Sequence, residues 1–328
     1  MIKLSSKCVF NFSLSFIITV SIQGQIPPQP RDFWELPTVC VSSHDVGKFV
    51  LGVSNKGYFG NSVNSNYYNC LNAEFHYSGS EYPRNSLINY LRHGSIWIGG
   101  IRRGDTLVTE GFFGGFFEPP SLHAHPPLSE FNPDDTPVRE IEQRSTLKES
   151  KYYDKTAISH QDLLAVYADT IVTNENIFDF HPGYRDFLDY RLHKPLYIEV
   201  TQKSYAWSHE YAEDVVLFEI NIKNIGEKTI DDVAFGIKLD PAVGYKNVSR
   251  PPGLGDLLGF TKTYPAETAC SFEDTLNLVW MADNDGDPSN GEFTEQIVLD
   301  SNGYEFKSVV DAVGIFFVSV PNETPINF

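Results

Sequence analysis

The sequence predicts an all-β protein with few short helices, folded as an antiparallel β-sandwich that is one large sandwich or two packed β units. Three observations carry that prediction. Apolar and polar residues alternate strictly over Val216–Asn224, putting Phe218, Ile220 and Ile222 on one face and Glu219, Asn221 and Lys223 on the other. Aromatics are abundant, with 24 Phe and 17 Tyr against 2 Met, a bias toward pleated, half-buried surfaces rather than helix bundles. No strand–helix–strand repeat appears, which removes the doubly wound class.

Residues 1–24 carry Lys3 and Lys7 ahead of an apolar stretch from Val9 to Val20, with the small residue Gly24 at the end. Asn11, Ser13 and Ser15 interrupt that stretch, and it falls short of the about 18 apolar residues of a spanning helix. The segment therefore reads as a cleaved secretory signal peptide. No later run is long enough to span, so the expected product is secreted or held at the cell surface without a transmembrane segment. Residues 25–150 read as an N-terminal β-rich region with a long loop. Residues 151–328 read as a β-sandwich region, with 45–110 able to join it in one domain.

Prolines at 27, 28, 30 and 37 give an extended entry. Lys48–Val53 has strand character and runs into the turn Ser54-Asn55-Lys56-Gly57. Gly94–Ile101 and Thr106–Thr109 flank Arg102-Arg103-Gly104-Asp105, the pattern of a hairpin whose glycine supplies a positive φ. Residues 110–150, rich in Gly, Pro and charge, read as a long surface connection. Ser159-His160-Gln161-Asp162 has the form of a helix cap, which predicts a short helix before the strand-like Ala165-Val166-Tyr167. Leu196–Gln202 alternates, and Val216–Asn224, the turn region Ile225–Thr229 and Ile230–Leu239 read as one long hairpin with a wet face. Later strands are expected at Asn277–Ala282, Gln296–Leu299 and Val313–Val320.

The chain has 25 basic and 43 acidic residues, a net charge of −18. Leader removal takes away two lysines and leaves 23 against 43, or −20. That balance excludes a nucleic-acid partner, which requires clustered Lys and Arg to displace counterions. Past the leader stand Cys40, Cys70 and Cys270, an odd set. Cys40–Cys70 is a plausible bridge in an oxidising compartment, and reduced, buried thiols are the other reading. No Cys-x-x-Cys pair is present to form a zinc ribbon.

Three stretches carry a resemblance: Tyr90-Leu91-Arg92-His93-Gly94-Ser95-Ile96-Trp97-Ile98-Gly99-Gly100, Ile158–Asp162, and Ile198–Ser208 followed by Tyr211-Ala212-Glu213-Asp214. Together they resemble large uncharacterised secreted or surface proteins of Bacteroidetes-like bacteria, over roughly Val46 to Asp287. The resemblance implies export, a β-rich ectodomain and, in many relatives, a C-terminal sorting region. It implies further that this chain is an N-terminal fragment, with other domains of a longer exported chain as partners. It donates no catalytic residue.

Asp283-Asn284-Asp285-Gly286-Asp287 is the best site candidate. Oxygen ligands at alternate positions of a tight turn can converge on a hard cation such as Ca2+. Pro288 stands where a helix-loop-helix calcium loop needs glycine, and Thr294 where it needs a bidentate Glu. The expected site is therefore a β-loop built from Asp283, Asp285 and Asp287, completed by Glu292 or Glu295 and by Asp240 or Asp256. In relatives the position of Ala242 often holds a second acid, which weakens Asp240 as a ligand.

His123-Ala124-His125 sits among prolines and reads as an exposed loop. His209-Glu210-Tyr211-Ala212-Glu213 lacks the second histidine of a zinc-protease motif. Gly253–Gly259 is one residue off a dinucleotide fingerprint without its strand–loop–helix setting, and reads as a loop. Arg103-Gly104-Asp105 reads as a turn. No GxSxG, GxxxxGK[ST] or cysteine-nucleophile signature occurs.

The expected function is an exported extracellular or cell-surface β-sandwich module with a structural, adhesive or ligand-binding role, stabilised by calcium, with a polysaccharide or surface partner. The alternative is an exported carbohydrate-active or other hydrolytic enzyme, or its ancillary domain.

Overall fold

A computed structural model describes residues 13–21, 40–60, 67–68, 75–76, 79–111, 129–171, 193–245, 256–264, 274–283, 298–299, 305–306 and 312–319. Among the described residues there is no helix, and none therefore long and apolar enough to cross a membrane. The strands are β1 (Ser13–Ser21), β2 (Val41–His44), β3 (Val50–Ser54), β4 (Tyr58–Gly60), β5 (Tyr67–Tyr68), β6 (Phe75–His76) and β7 (Ser80–Glu81). They continue as β8 (Ile88–Arg102), β9 (Asp105–Glu110), β10 (Glu142–Arg144), β11 (Gln161–Ala168), β12 (Ile198–Ala206), β13 (Val215–Asn224) and β14 (Asp231–Tyr245). The last are β15 (Asp256–Tyr264), β16 (Asp274–Asp283), β17 (Val298–Leu299), β18 (Glu305–Phe306) and β19 (Ala312–Ser319).

Two sheets face each other. The larger has the order β10-β11-β12-β13-β1-β19-β16-β15, the smaller β14-β8-β4-β3-β2 with β7 and β9 attached. Their inward residues merge in one core: Leu51, Phe59, Tyr90, Ile96 and Ile98 from the smaller sheet meet Leu163, Val200, Phe218, Ile220 and Ile222 from the larger. The rings of Phe59 and Phe218 meet across the gap at 5.7 Å. Alternation explains the halves: β13 buries Val216, Phe218, Ile220 and Ile222 almost completely and leaves the residues between them part-exposed.

The Arg103-Gly104 turn joins β8 to β9 with φ of +54° and +84°, the left-handed pair that a tight hairpin of this twist needs. Ser13–Ser21, inside the expected leader, forms β1; its Ser-Leu-Ser-Phe-Ile-Ile-Thr-Val-Ser order alternates as a strand does except at Ile17.

Four local expectations are corrected. No hairpin joins β13 to β14: β13 pairs with β12 and β1, while β14 pairs with β8 in the other sheet. Alternation identifies a strand and its buried face but not its partner, and the link 225–230 is long enough to cross the about 10 Å between packed sheets. No helix follows Ser159. The Asp162 carboxylate does accept from Ile158 N and Ser159 N, both at 2.7 Å, but it closes a turn that opens directly into β11. The connection 110–150 is not all surface, because Phe131 and Ile141 sit in the core. Residues 256–259 are not loop but the start of β15, where Gly259 lies opposite Trp280 and leaves room for its indole; a Cβ there would stand 2.1 Å from the ring.

Candidate functional site: buried polar bridges between the sheets

The anticipated ion ligands divide. Asp256 and Asp283 stand directly opposite each other at the ends of β15 and β16, and Asp256 Oδ2 accepts Val243 N of β14 at 3.0 Å. Asp240 instead stands opposite His93 of β8, with Oδ2 at 3.5 Å from Nδ1. Burial pushes the Asp240 carboxyl upward against Arg92 and Lys238, and burial with those same cations lowers His93 to about 3. The contact therefore joins a neutral imidazole to an acid rather than forming an ion pair. Asp285, Asp287, Glu292 and Glu295 lie outside the described residues, as do His123 and His125. Among the described residues no group of three or more His, Cys, Asp or Glu side chains is arranged so that it could hold a metal ion.

Cys40 is buried and disulfide-bonded, with its partner outside the described residues. Its Sγ accepts the Ile141 N–H at 3.3 Å. Arg103-Gly104-Asp105 is exposed at its hairpin tip, where Asp105 meets Lys194 at 3.2 Å. His209–Glu213 forms a turn between β12 and β13, and Glu213 anchors it by accepting Lys48 N through its carbonyl and pairing with Lys48 Nζ at 2.5 Å.

The densest polar chemistry centres on His193, which no motif announced. Its Nε2 donates to Asp169 Oδ1 at 2.7 Å and its Nδ1 to Glu130 Oε1 at 2.9 Å, with the imidazole 1% exposed. Asp169 Oδ2 also accepts Thr109 Oγ1 at 2.6 Å and Leu196 N at 2.5 Å. Glu130 Oε2 accepts Glu110 N at 2.9 Å. Burial alone would neutralise the ring, but the charges of Glu130 and Asp169 outweigh it and raise His193 to about 10. Thr109 belongs to β9 of the smaller sheet and Asp169 follows β11 of the larger, so this group bridges the sheets. With both nitrogens donating, the ring has no lone pair for a substrate proton.

A second bridge lies at β2. His44 Nε2 meets Ser204 Oγ of β12 at 2.7 Å, and Gln161 Nε2 of β11 donates to Ser43 O at 3.0 Å. His44 is fully buried, and burial lowers it to about 3 against the hydrogen bonding of Gln161. The pair has the composition of a nucleophile and its base, yet Ser204 and His44 are both 0% exposed, so the contact ties the sheets and faces no solvent. Nearby polar groups are also engaged inside, with the Tyr167 hydroxyl donating to Gln202 Oε1 at 2.9 Å.

On the outside, rings gather where β11 begins and β12 ends. Tyr211 is 84% exposed and stacks on His209 at 5.3 Å and 14°, and His160 meets His209 edge-on at 4.4 Å. The Ser208 N–H donates to His160 Nδ1 at 3.1 Å, fixing the proton of the neutral ring on Nε2.

Fold and site together define a class: an all-β protein of two packed sheets joined by buried polar bridges. No family model, no curated protein and no solved structure matches the chain.

Proposed function

We propose that the chain is an exported extracellular or cell-surface β-sandwich module with a structural, adhesive or ligand-binding role in a longer protein. The observation that carries this reading is the use made of its buried titratable groups. His193 is held between Asp169 and Glu130, and His44 is held against Ser204, so these two buried histidines are committed to holding one sheet on the other. A carbohydrate-cleaving enzyme needs two carboxylates flanking a sugar, whereas Glu130 and Asp169 flank an imidazole.

The leader composition supports export, and the Cys40 disulfide fits an oxidising compartment. The exposed His209–Tyr211 stack supports a ligand with a flat apolar face, such as a sugar ring. The cross-strand register of Asp256 and Asp283 supports calcium binding at that end of the sheet, and Asp285, Asp287 and Glu292 are the further ligands that the sequence pattern offers. The N-terminal mass of the protein recovered from its native host tests export: a chain starting near Gln25 is expected, and an intact Met1–Gly24 refutes it.

A further inference from the structure

Among the described strands, β1 alone joins the two halves of the larger sheet. It runs parallel to β13 from Ser13↔Val215 to Ser21↔Lys223. On its other side it runs parallel to β19, from Leu14↔Ile315 to Ile17↔Ser319. This register sets Leu14, Phe16, Ile18 and Val20 opposite Val216, Phe218, Ile220 and Ile222, the core residues of β13. The polar positions Thr19 and Ser21 fall opposite Asn221 and Lys223.

All nine residues lie inside the expected leader, so cleavage near Gly24 takes the strand away. β13 and β19 then each keep a row of backbone donors and acceptors with no partner, next to the core. A strand parallel to both cannot come from a tight hairpin off either neighbour, since parallel pairing needs a crossover of about a dozen residues or more. Open edges of this kind recruit an extended segment.

We propose that the gap between β13 and β19 is a strand-acceptor site in the exported protein. Its occupant is an extended segment of another polypeptide with apolar residues at alternate positions and uncharged residues between them, as Ile17 lies opposite Glu219 in β1. The proposal rests on the reading of residues 1–24 as a cleaved leader. The outer face of β13 fixes the uncharged character of the occupant. Glu219 is already taken by Lys203 Nζ at 3.4 Å and the Tyr205 hydroxyl at 2.8 Å, and Lys223 by Glu199 at 3.7 Å, all from β12.

The test uses the full chain carrying a protease site after Gly24. After cutting, the released segment is expected to stay bound and to exchange, one for one and saturably, with a fluorescent Ser13–Ser21 peptide. The same peptide with Phe16→Asp and Ile18→Asp is expected not to bind. Separation of the cut segment, with an unchanged unfolding temperature and no peptide uptake, overturns the proposal while the leader reading stands. An intact N-terminus on host-derived protein removes the leader reading and the proposal with it, even where the peptide exchanges.

Discussion

His193 Nε2 donates to Asp169 Oδ1 at 2.7 Å, and that contact joins the entry of β12 to the end of β11 in a site closed to solvent. Through Thr109 the same carboxylate reaches the smaller sheet. Removing one member of a buried ionic group leaves the others uncompensated, at a cost of about 3–5 kcal/mol. His193→Gln and Asp169→Asn are each expected to lower the unfolding free energy measured in urea by that order. Because the residues act as a unit, the double variant is expected to cost less than the sum.

The same clasp makes stability fall in alkali. His193 titrates near 10 in the fold and near about 6.5 unfolded, so its contribution is complete below pH about 6.5 and is lost as pH rises through 10. Lys56 acts in the opposite sense: burial, against the pull of Asp134, lowers it to about 8, so raising the pH from there relieves a penalty. Comparing wild type with His193→Gln separates the two. Their difference in unfolding free energy is expected to shrink between neutral pH and pH 10, and a constant difference contradicts the assignment.

Acid acts through His44 and His93, both lowered to about 3 by burial. The unfolded chain takes up these protons first, so their contribution is present above pH about 6.5 and is lost as pH falls toward 3. Every tenfold loss of proton affinity on folding corresponds to about 1.4 kcal/mol. His44→Gln, which can still hydrogen-bond, is expected to move the acid-unfolding midpoint to lower pH even where it costs stability at neutral pH. Circular dichroism against pH measures it.

Close packing should separate two glycines. A Cβ at Gly94 would stand 2.2 Å from the Phe59 ring, which is itself packed on Phe218. Gly94→Ala is expected to cost about 1–3 kcal/mol as overpacking. Gly104 has open space around it and φ of +84°. Gly104→Asn, a residue that tolerates this conformation, is expected to cost under about 1 kcal/mol by thermal melting.

Calcium should act through Asp256 and Asp283. In chelator, Asp256→Asn, whose amide oxygen can still accept Val243 N, is expected to melt close to wild type. In calcium, wild type is expected to melt at higher temperature than in chelator and the variant to gain much less. Identical wild-type melting curves in the two conditions contradict the site.

Strands are legible wherever residues alternate, as in β12 and β13, because a half-buried strand writes its two faces into sequence. Strand partners are not, and β14 shows why: its alternation suits either sheet, and pairing with β8 is decided by contacts far away in sequence. The Ser159–Asp162 pattern does announce side-chain capping but not the element it caps, since a carboxylate that satisfies turn N–H groups serves a helix or a strand entry alike. The opposed Asp256 and Asp283 are visible in the sequence only as separate acids. The His193 clasp carries no signal at all, because Asp169 lies 24 residues away and Thr109 and Glu130 come from other segments in polar surroundings.

Ring 15N shifts of His193, followed by NMR from pH 6 to 9, distinguish a charged clasp from an acid–base catalyst. Both nitrogens are expected to stay protonated across that range, with slowly exchanging N–H protons. A ring that loses a proton near pH 7 would contradict the clasp and reopen the enzyme reading.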